Sequence, residues 1–129
     1  MVVIDTSALI ASLAGQRKAL SGLRDLLGRK ERIVLTTIVL YEWRRGPRTP
    51  SELADQENLF PSESAIVFGT EEAVLAADLY KRVSRPRGRE IDLAIAACAI
   101  AHEAALWTLN REDFADIPGL ILANPPFGR

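Results

Sequence analysis

Residues 93–101 read Leu-Ala-Ile-Ala-Ala-Cys-Ala-Ile-Ala, with no charged side chain among them. No other stretch constrains the fold so tightly. It is too short to cross a bilayer, which takes roughly 20 apolar residues. It is also too apolar all round to lie on a surface with one face wet. The pattern predicts a helix over residues 91–104 that is buried on most faces, with repeated alanines that let it approach a sheet closely. Asp92 opens this helix, where the helix dipole favours its ionised form.

The rest of the chain supplies a sheet for that helix. Short apolar runs at residues 1–4, 33–35, 65–68 and 106–109 read as strands, with a short last strand at 120–122. Helical patterns fall between them. Thr6 or Ser7 caps the first, with Leu9, Ile10 and Leu13 inward and Gly15 as its stop. The second spans 18–27, with Leu20, Leu23, Leu26 and Leu27 on one face and Gly28 as its stop. Thr36 or Thr37 caps the third, which Gly46-Pro47 ends. Pro50 and Ser51 open the fourth, with Leu53 and Leu59 inward; Thr70 caps the fifth, with Val74, Leu75, Leu79 and Val83 at helical spacing. Residues 84–89 form a loop by composition.

Alternating strands and helices predict an α/β fold with a central, mainly parallel sheet between helical layers. Residues 1–129 are expected to form one domain. A hydrophobic content of 48% excludes disorder. The lone cysteine, Cys98, excludes an intramolecular disulfide and reads as a small buried apolar residue. The start Met-Val-Val-Ile-Asp has no basic segment of the secretory type, so a soluble cytoplasmic protein with no membrane association is expected.

Four acids stand at the edges of these apolar segments: Asp5 after the first strand, Glu42 on an apolar helix, Asp92 at its helix start and Asp113 after the strand of residues 106–109. Open α/β sheets bind ligands at the carboxyl ends of their strands. Carboxylates converging there repel one another unless a cation neutralises them, and Mg²⁺ or Mn²⁺ suits all-oxygen ligands. Asp5 and Asp92 are the best-placed metal ligands. Thr6 and Ser7 lie beside Asp5, while Thr108 and Asn110 flank the last acid. Simpler uses exist for each acid: Asp5 as a helix cap, Glu42 as a partner for Arg45, and Asp113 in a polar turn anchored by Phe114.

The net charge of −1 conceals a polarity. Residues 1–50 carry nine Lys/Arg against four Asp/Glu, and residues 51–129 carry seven against thirteen. Arg44, Arg45 and Arg48 follow Glu42, and Lys81, Arg82, Arg85, Arg87 and Arg89 precede Asp92. Arginines beside an acidic pocket supply the attraction for phosphate that the pocket lacks, so Arg85, Arg87 and Arg89 are expected to contact a phosphate backbone. The only histidine, His102, lies ten residues past Asp92, which disfavours a histidine-based ribonuclease or a Ser-His-Asp triad.

The stretches Val3-Ile4-Asp5-Thr6-Ser7-Ala8-Leu9, Thr36-Thr37-Ile38-Val39-Leu40-Tyr41-Glu42, Asp92-Leu93-Ala94-Ile95-Ala96-Ala97 and Thr108-Leu109-Asn110-Arg111-Glu112-Asp113-Phe114 resemble, in that order, the PIN-domain family and most closely its VapC-type toxins. The resemblance implies a three-layer α/β/α PIN-like fold and a Mg²⁺-dependent endoribonuclease, with Asp5, Glu42 and Asp92 as its acidic core. Asn110 or Asp113 takes the fourth position. It also implies a homodimer silenced by a cognate antitoxin protein.

Three other readings compete, one of them a PIN-like domain acting as a non-catalytic binding scaffold, which the intact acid set argues against. A PIN nuclease of RNA maturation or decay, outside a toxin–antitoxin system, shares every motif. A receiver-like signalling domain also gathers acids around Mg²⁺, but it wants adjacent acids after strand one and a late lysine. Here Asp5 stands alone and no lysine follows Lys81.

Overall fold

A computed structural model describes the backbone of residues 1–14 and 17–124, and the side chains of residues 1–14 and 22–124. The expected stop at Gly15 and the inward Leu20 side chain lie outside these described residues.

Three short strands, β1 (Val2–Ile4), β2 (Ile33–Val34) and β3 (Ala105–Trp107), form a parallel sheet in the order β2-β1-β3. Every residue of β1 and β2 is buried. Successive strand residues point to opposite faces, so both faces of the sheet must be covered. Among the described residues the chain also forms six helices: α1 (Thr6–Leu13), α2 (Arg17–Gly28), α3 (Thr37–Arg45), α4 (Pro50–Leu59), α5 (Thr70–Arg82) and α6 (Glu90–Ala101). The α/β architecture expected from the pattern is therefore present.

Helix α6 is the apolar segment singled out above, and all of residues 93–99 are buried. It packs along α5 and contacts α3 and β3. Cys98 lies in this core, where burial pushes its thiol up to about 12 and keeps it protonated. Since α6 leads through a tight turn into β3, it runs antiparallel to the strands. Its first turn therefore sits at the carboxyl edge of the sheet. His102 closes its other end and meets Glu72 at 3.2 Å.

Several local expectations need correction. The 65–68 and 120–122 runs are not strands; each makes one parallel bridge, Thr36 with Ile66 and Leu106 with Leu122. Ile66 N–H donates to the Leu35 carbonyl, after which the chain turns off toward Gly69 at the start of α5. Leu59 is exposed, and Phe60 takes its place in the core. Val74 is likewise exposed, so α5 buries a narrower stripe than its sequence suggests. Thr36 caps α3, accepting from Val39 N–H, and Gly69 precedes α5 with Glu72 accepting its N–H.

Candidate active site

Asp5 occupies the cap position of α1, but its carboxylate makes no capping hydrogen bond. Its Oδ2 instead accepts from the Thr108 hydroxyl at 2.7 Å and the Ser7 hydroxyl at 2.9 Å. Each hydroxyl has a single proton and gives it to Asp5. Each hydroxyl oxygen then accepts a backbone N–H from the turn after β3: Leu109 to Ser7 at 3.1 Å and Asn110 to Thr108 at 3.0 Å. Neither Thr6 nor Ser7 caps α1: both lie inside its first turn, and Asp5 holds the cap position. Asp5 is 4% exposed. Burial raises its pKa; hydrogen bonds from Thr108, Ser7 and the Thr6 N–H oppose the rise, and the charge of Glu42 adds to it.

Thr6 points the other way. Its hydroxyl donates to Glu42 Oε1 at 2.6 Å and so ties α1 to α3. Glu42 also meets Arg45 at 3.7 Å. The simple ion pair and the inward-facing acid thus coexist. The neighbouring arginines serve packing: Arg44 pairs with Glu57 at 2.8 Å, and Arg48 stacks on the Trp43 ring at 4.3 Å.

Asp92 stands in the first turn of α6, half-buried. Burial is the largest influence on its carboxyl, followed by the charges of Asp5, Asp113 and Glu42, with Arg89 acting against them; the result is a pKa pushed up to about 6. The four acids therefore form one electrostatic group at the carboxyl edge of the sheet. Asp113 reaches it from a 3-10 turn (Arg111–Asp113), and Asp113 N–H donates to the Asn110 carbonyl at 3.0 Å. Asn110 serves this turn through its backbone.

Arg85, Arg87 and Arg89 divide. Arg85 and Arg87 are exposed, and Arg85 has a left-handed φ of 53°. Arg89 is held by Asp116, Ser84 and Asp113. This interaction holds Asp116 below the usual carboxylate range. Arg85, Arg89, Glu112, Asp113 and Asp116 line an open cleft of about 660 Å³ beside the acids. Asp116 was not foreseen as part of the site. It lies 27 residues from Arg89 in a segment without periodicity, and nothing in the sequence signals that pairing.

A hard divalent cation fits this donor set chemically, since the ligands would be carboxylate oxygens whose repulsion it relieves. Among the described residues, no three His, Cys, Asp or Glu side chains already stand within reach of one ion. The site is thus an electrostatic group rather than a preformed cage.

An acid whose folded pKa lies above its unfolded value stabilises the fold fully while protonated. For Asp92 that contribution is present below about 3.8 and is lost as the pH rises through about 6. In chelator, Asp92→Asn should therefore raise the melting temperature by a few degrees at pH 7 to 8. It should also flatten the fall in stability between pH 4 and 7. Thermal melts across that range check this; an unchanged or lowered melting temperature at pH 7 contradicts it.

The comparisons with known proteins give the family and the fold. Residues 2–120 match the family model described as PIN domain. Ribonuclease VapC19 of Mycobacterium tuberculosis is 33% identical over 129 residues, covering 98% of this chain and 100% of that protein. Among solved structures, VapBC2 from Rickettsia felis, bound to a DNA fragment from its promoter, superposes with a TM-score of 0.73 at 23% identity, over 97% of this chain and 99% of the other. A toxin–antitoxin complex from Klebsiella pneumoniae gives a TM-score of 0.70 at 24% identity, over 94% and 96% of the two chains. At these identities the structures speak to fold alone, and the fold they share is that of this chain. The family match and the full-length relative place it: the chain belongs to the PIN-domain family, in its VapC-type branch.

Proposed function

We propose that this protein is a Mg²⁺-dependent endoribonuclease and the toxin of a type II toxin–antitoxin pair, with Mn²⁺ as an alternative ion. The observation that carries the nuclease reading is the mutual electrostatics of Asp5, Glu42, Asp92 and Asp113 at one edge of the sheet. Such a group is costly unless a cation joins it, and the similar VapC19 protein is named a ribonuclease.

The chain's own residues divide the work. Asp5 and Asp92 would hold the ion, with Asp5 fixed by Ser7 and Thr108. Glu42, oriented by Thr6, and Asp113 complete the acidic face and orient water near it. When bound, Mg²⁺ would supply a water of lowered pKa and neutralise charge at the scissile phosphate. Arg85, which lines the cleft, and the exposed Arg87 draw the RNA backbone in.

The partner reading follows from the relatives. Several similar structures are toxin–antitoxin complexes, which supports a cognate antitoxin here; a homodimer is proposed with it on the family resemblance. An acidic pocket also suggests how inhibition works, with an antitoxin Arg or Lys pairing with Asp5, Glu42 or Asp92 in place of the ion. Among the described residues, no helix is long and apolar enough to cross a membrane.

Chelation with EDTA should abolish cleavage of an RNA substrate, and Mg²⁺ or Mn²⁺ should restore it. Asp5→Asn and Asp92→Asn should each reduce cleavage to background while keeping a folded circular dichroism spectrum. Full activity of both variants, or of the parent in chelator, contradicts the nuclease reading. The toxin role is tested separately: expression in a bacterial host should arrest growth, and co-expression of the neighbouring small gene should relieve the arrest. Harmless expression of nuclease-active protein removes the toxin role and favours RNA maturation or decay.

A further inference from the structure

Arg89 has four N–H groups on its two terminal nitrogens, and all four are used. Nη1 donates to Asp116 Oδ2 at 3.0 Å and to the Ser84 carbonyl at 3.1 Å. Nη2 donates to Asp116 Oδ1 at 2.5 Å and to the Asp113 carbonyl at 2.9 Å. The pair with Asp116 is bidentate, the arrangement that the planar guanidinium is built for and that an ammonium cannot reproduce. The side chain is 20% exposed, against 48% for Asp116. A phosphate oxygen would have to displace one of these partners to be bound by a terminal nitrogen.

The backbone of Arg89 is equally fixed. Its N–H donates to the Pro86 carbonyl at 2.9 Å, and its carbonyl accepts from Leu93 N–H at 2.9 Å, opening α6. One residue thus joins three segments: the loop at Ser84, the first turn of α6 with Asp92, and the turn that carries Asp113 and Asp116. The guanidinium takes the Asp113 carbonyl and leaves the Asp113 carboxylate to the acidic group.

We propose that Arg89 is a positioning residue, a clasp that fixes the Asp113 turn against the first turn of α6 and so sets Asp113 beside Asp92 for metal binding. The inference rests on the reading above that these acids serve one metal site. It reassigns Arg89 from the phosphate contact expected of it and leaves that role to Arg85 and Arg87. Residues that orient metal ligands without touching the metal typically cost 10- to 100-fold in metal affinity when changed.

The test compares Arg89→Lys, Arg89→Gln and Asp116→Ala with Arg85→Ala and Arg87→Ala in the full chain. Three quantities are read: Mn²⁺ binding without RNA, by electron paramagnetic resonance of the free ion; hydrogen exchange of amides 111–117 without metal; and the salt dependence of RNA binding. Arg89→Lys and Asp116→Ala should weaken Mn²⁺ binding by roughly tenfold or more and speed exchange across 111–117. Lysine, although it keeps the charge, should do no better than glutamine. Arg85→Ala and Arg87→Ala should each lower the salt slope by about one and leave Mn²⁺ binding and exchange as in the parent. The proposal is overturned if Arg89→Lys matches the parent in Mn²⁺ binding and exchange, or if Asp116→Ala does. It is also overturned if the parent binds no Mn²⁺. A parent that binds Mn²⁺ but cleaves no RNA defeats the nuclease reading alone, and the clasp is still judged by the other two measurements.

Discussion

A buried carboxylate beside three others of the same charge is the constraint around which this structure is arranged. Asp5 has left water almost completely, and unpaired burial of an ionised carboxylate costs several kcal/mol or more. Its compensation is local and specific: two hydroxyl protons on one oxygen, from residues 7 and 108. Those hydroxyls are themselves held by the backbone of the turn after β3. The end of β1 and the end of β3 are thereby joined through a carboxylate as well as through the ladder in which Asp5 N–H donates to the Trp107 carbonyl at 2.8 Å.

The remaining acids reach the same place by different mechanical routes. Glu42 is carried by α3 and steered by Thr6 on α1. Asp92 is carried by a helix so fully buried that it cannot rotate without emptying the core. Asp113 has no such support from its own short turn, and the Arg89–Asp116 pair supplies it. Rigid elements therefore place three acids, and a hydrogen-bonded clasp places the fourth. Burial and the like charges gathered here raise the pKa of Asp92, so its ionised form is disfavoured at this edge of the sheet.

Much of this was legible in the sequence, because strong one-dimensional patterns have few three-dimensional solutions. An apolar run with alanine spacing had to become the core helix at 93–99, and an acid at its start had to lie at the sheet's edge. Gly46-Pro47 and Pro50 marked α3 and α4 correctly. Short runs were less reliable. Residues 65–68 look like a strand, yet the fold uses only Ile66 as a bridge, since local propensity does not reveal where a chain leaves a sheet. Hydroxyl roles were also misread: Thr6 and Ser7 suggested caps, but Asp5 holds the cap position, and the two hydroxyls donate to Glu42 and Asp5. The Arg89–Asp116 clasp had no sequence signature, because only the fold brings residues 27 apart into a bidentate pair.

The central claim is that the acids form one electrostatic unit whose repulsion a divalent cation relieves. Carboxyl ¹³C NMR titration of Asp92, in chelator and then in saturating Mg²⁺, tests it most directly. The account predicts a midpoint near 6 without metal and a clear downward shift when Mg²⁺ is present. A midpoint of ordinary aspartate value in chelator, or one that Mg²⁺ leaves unmoved, would contradict it.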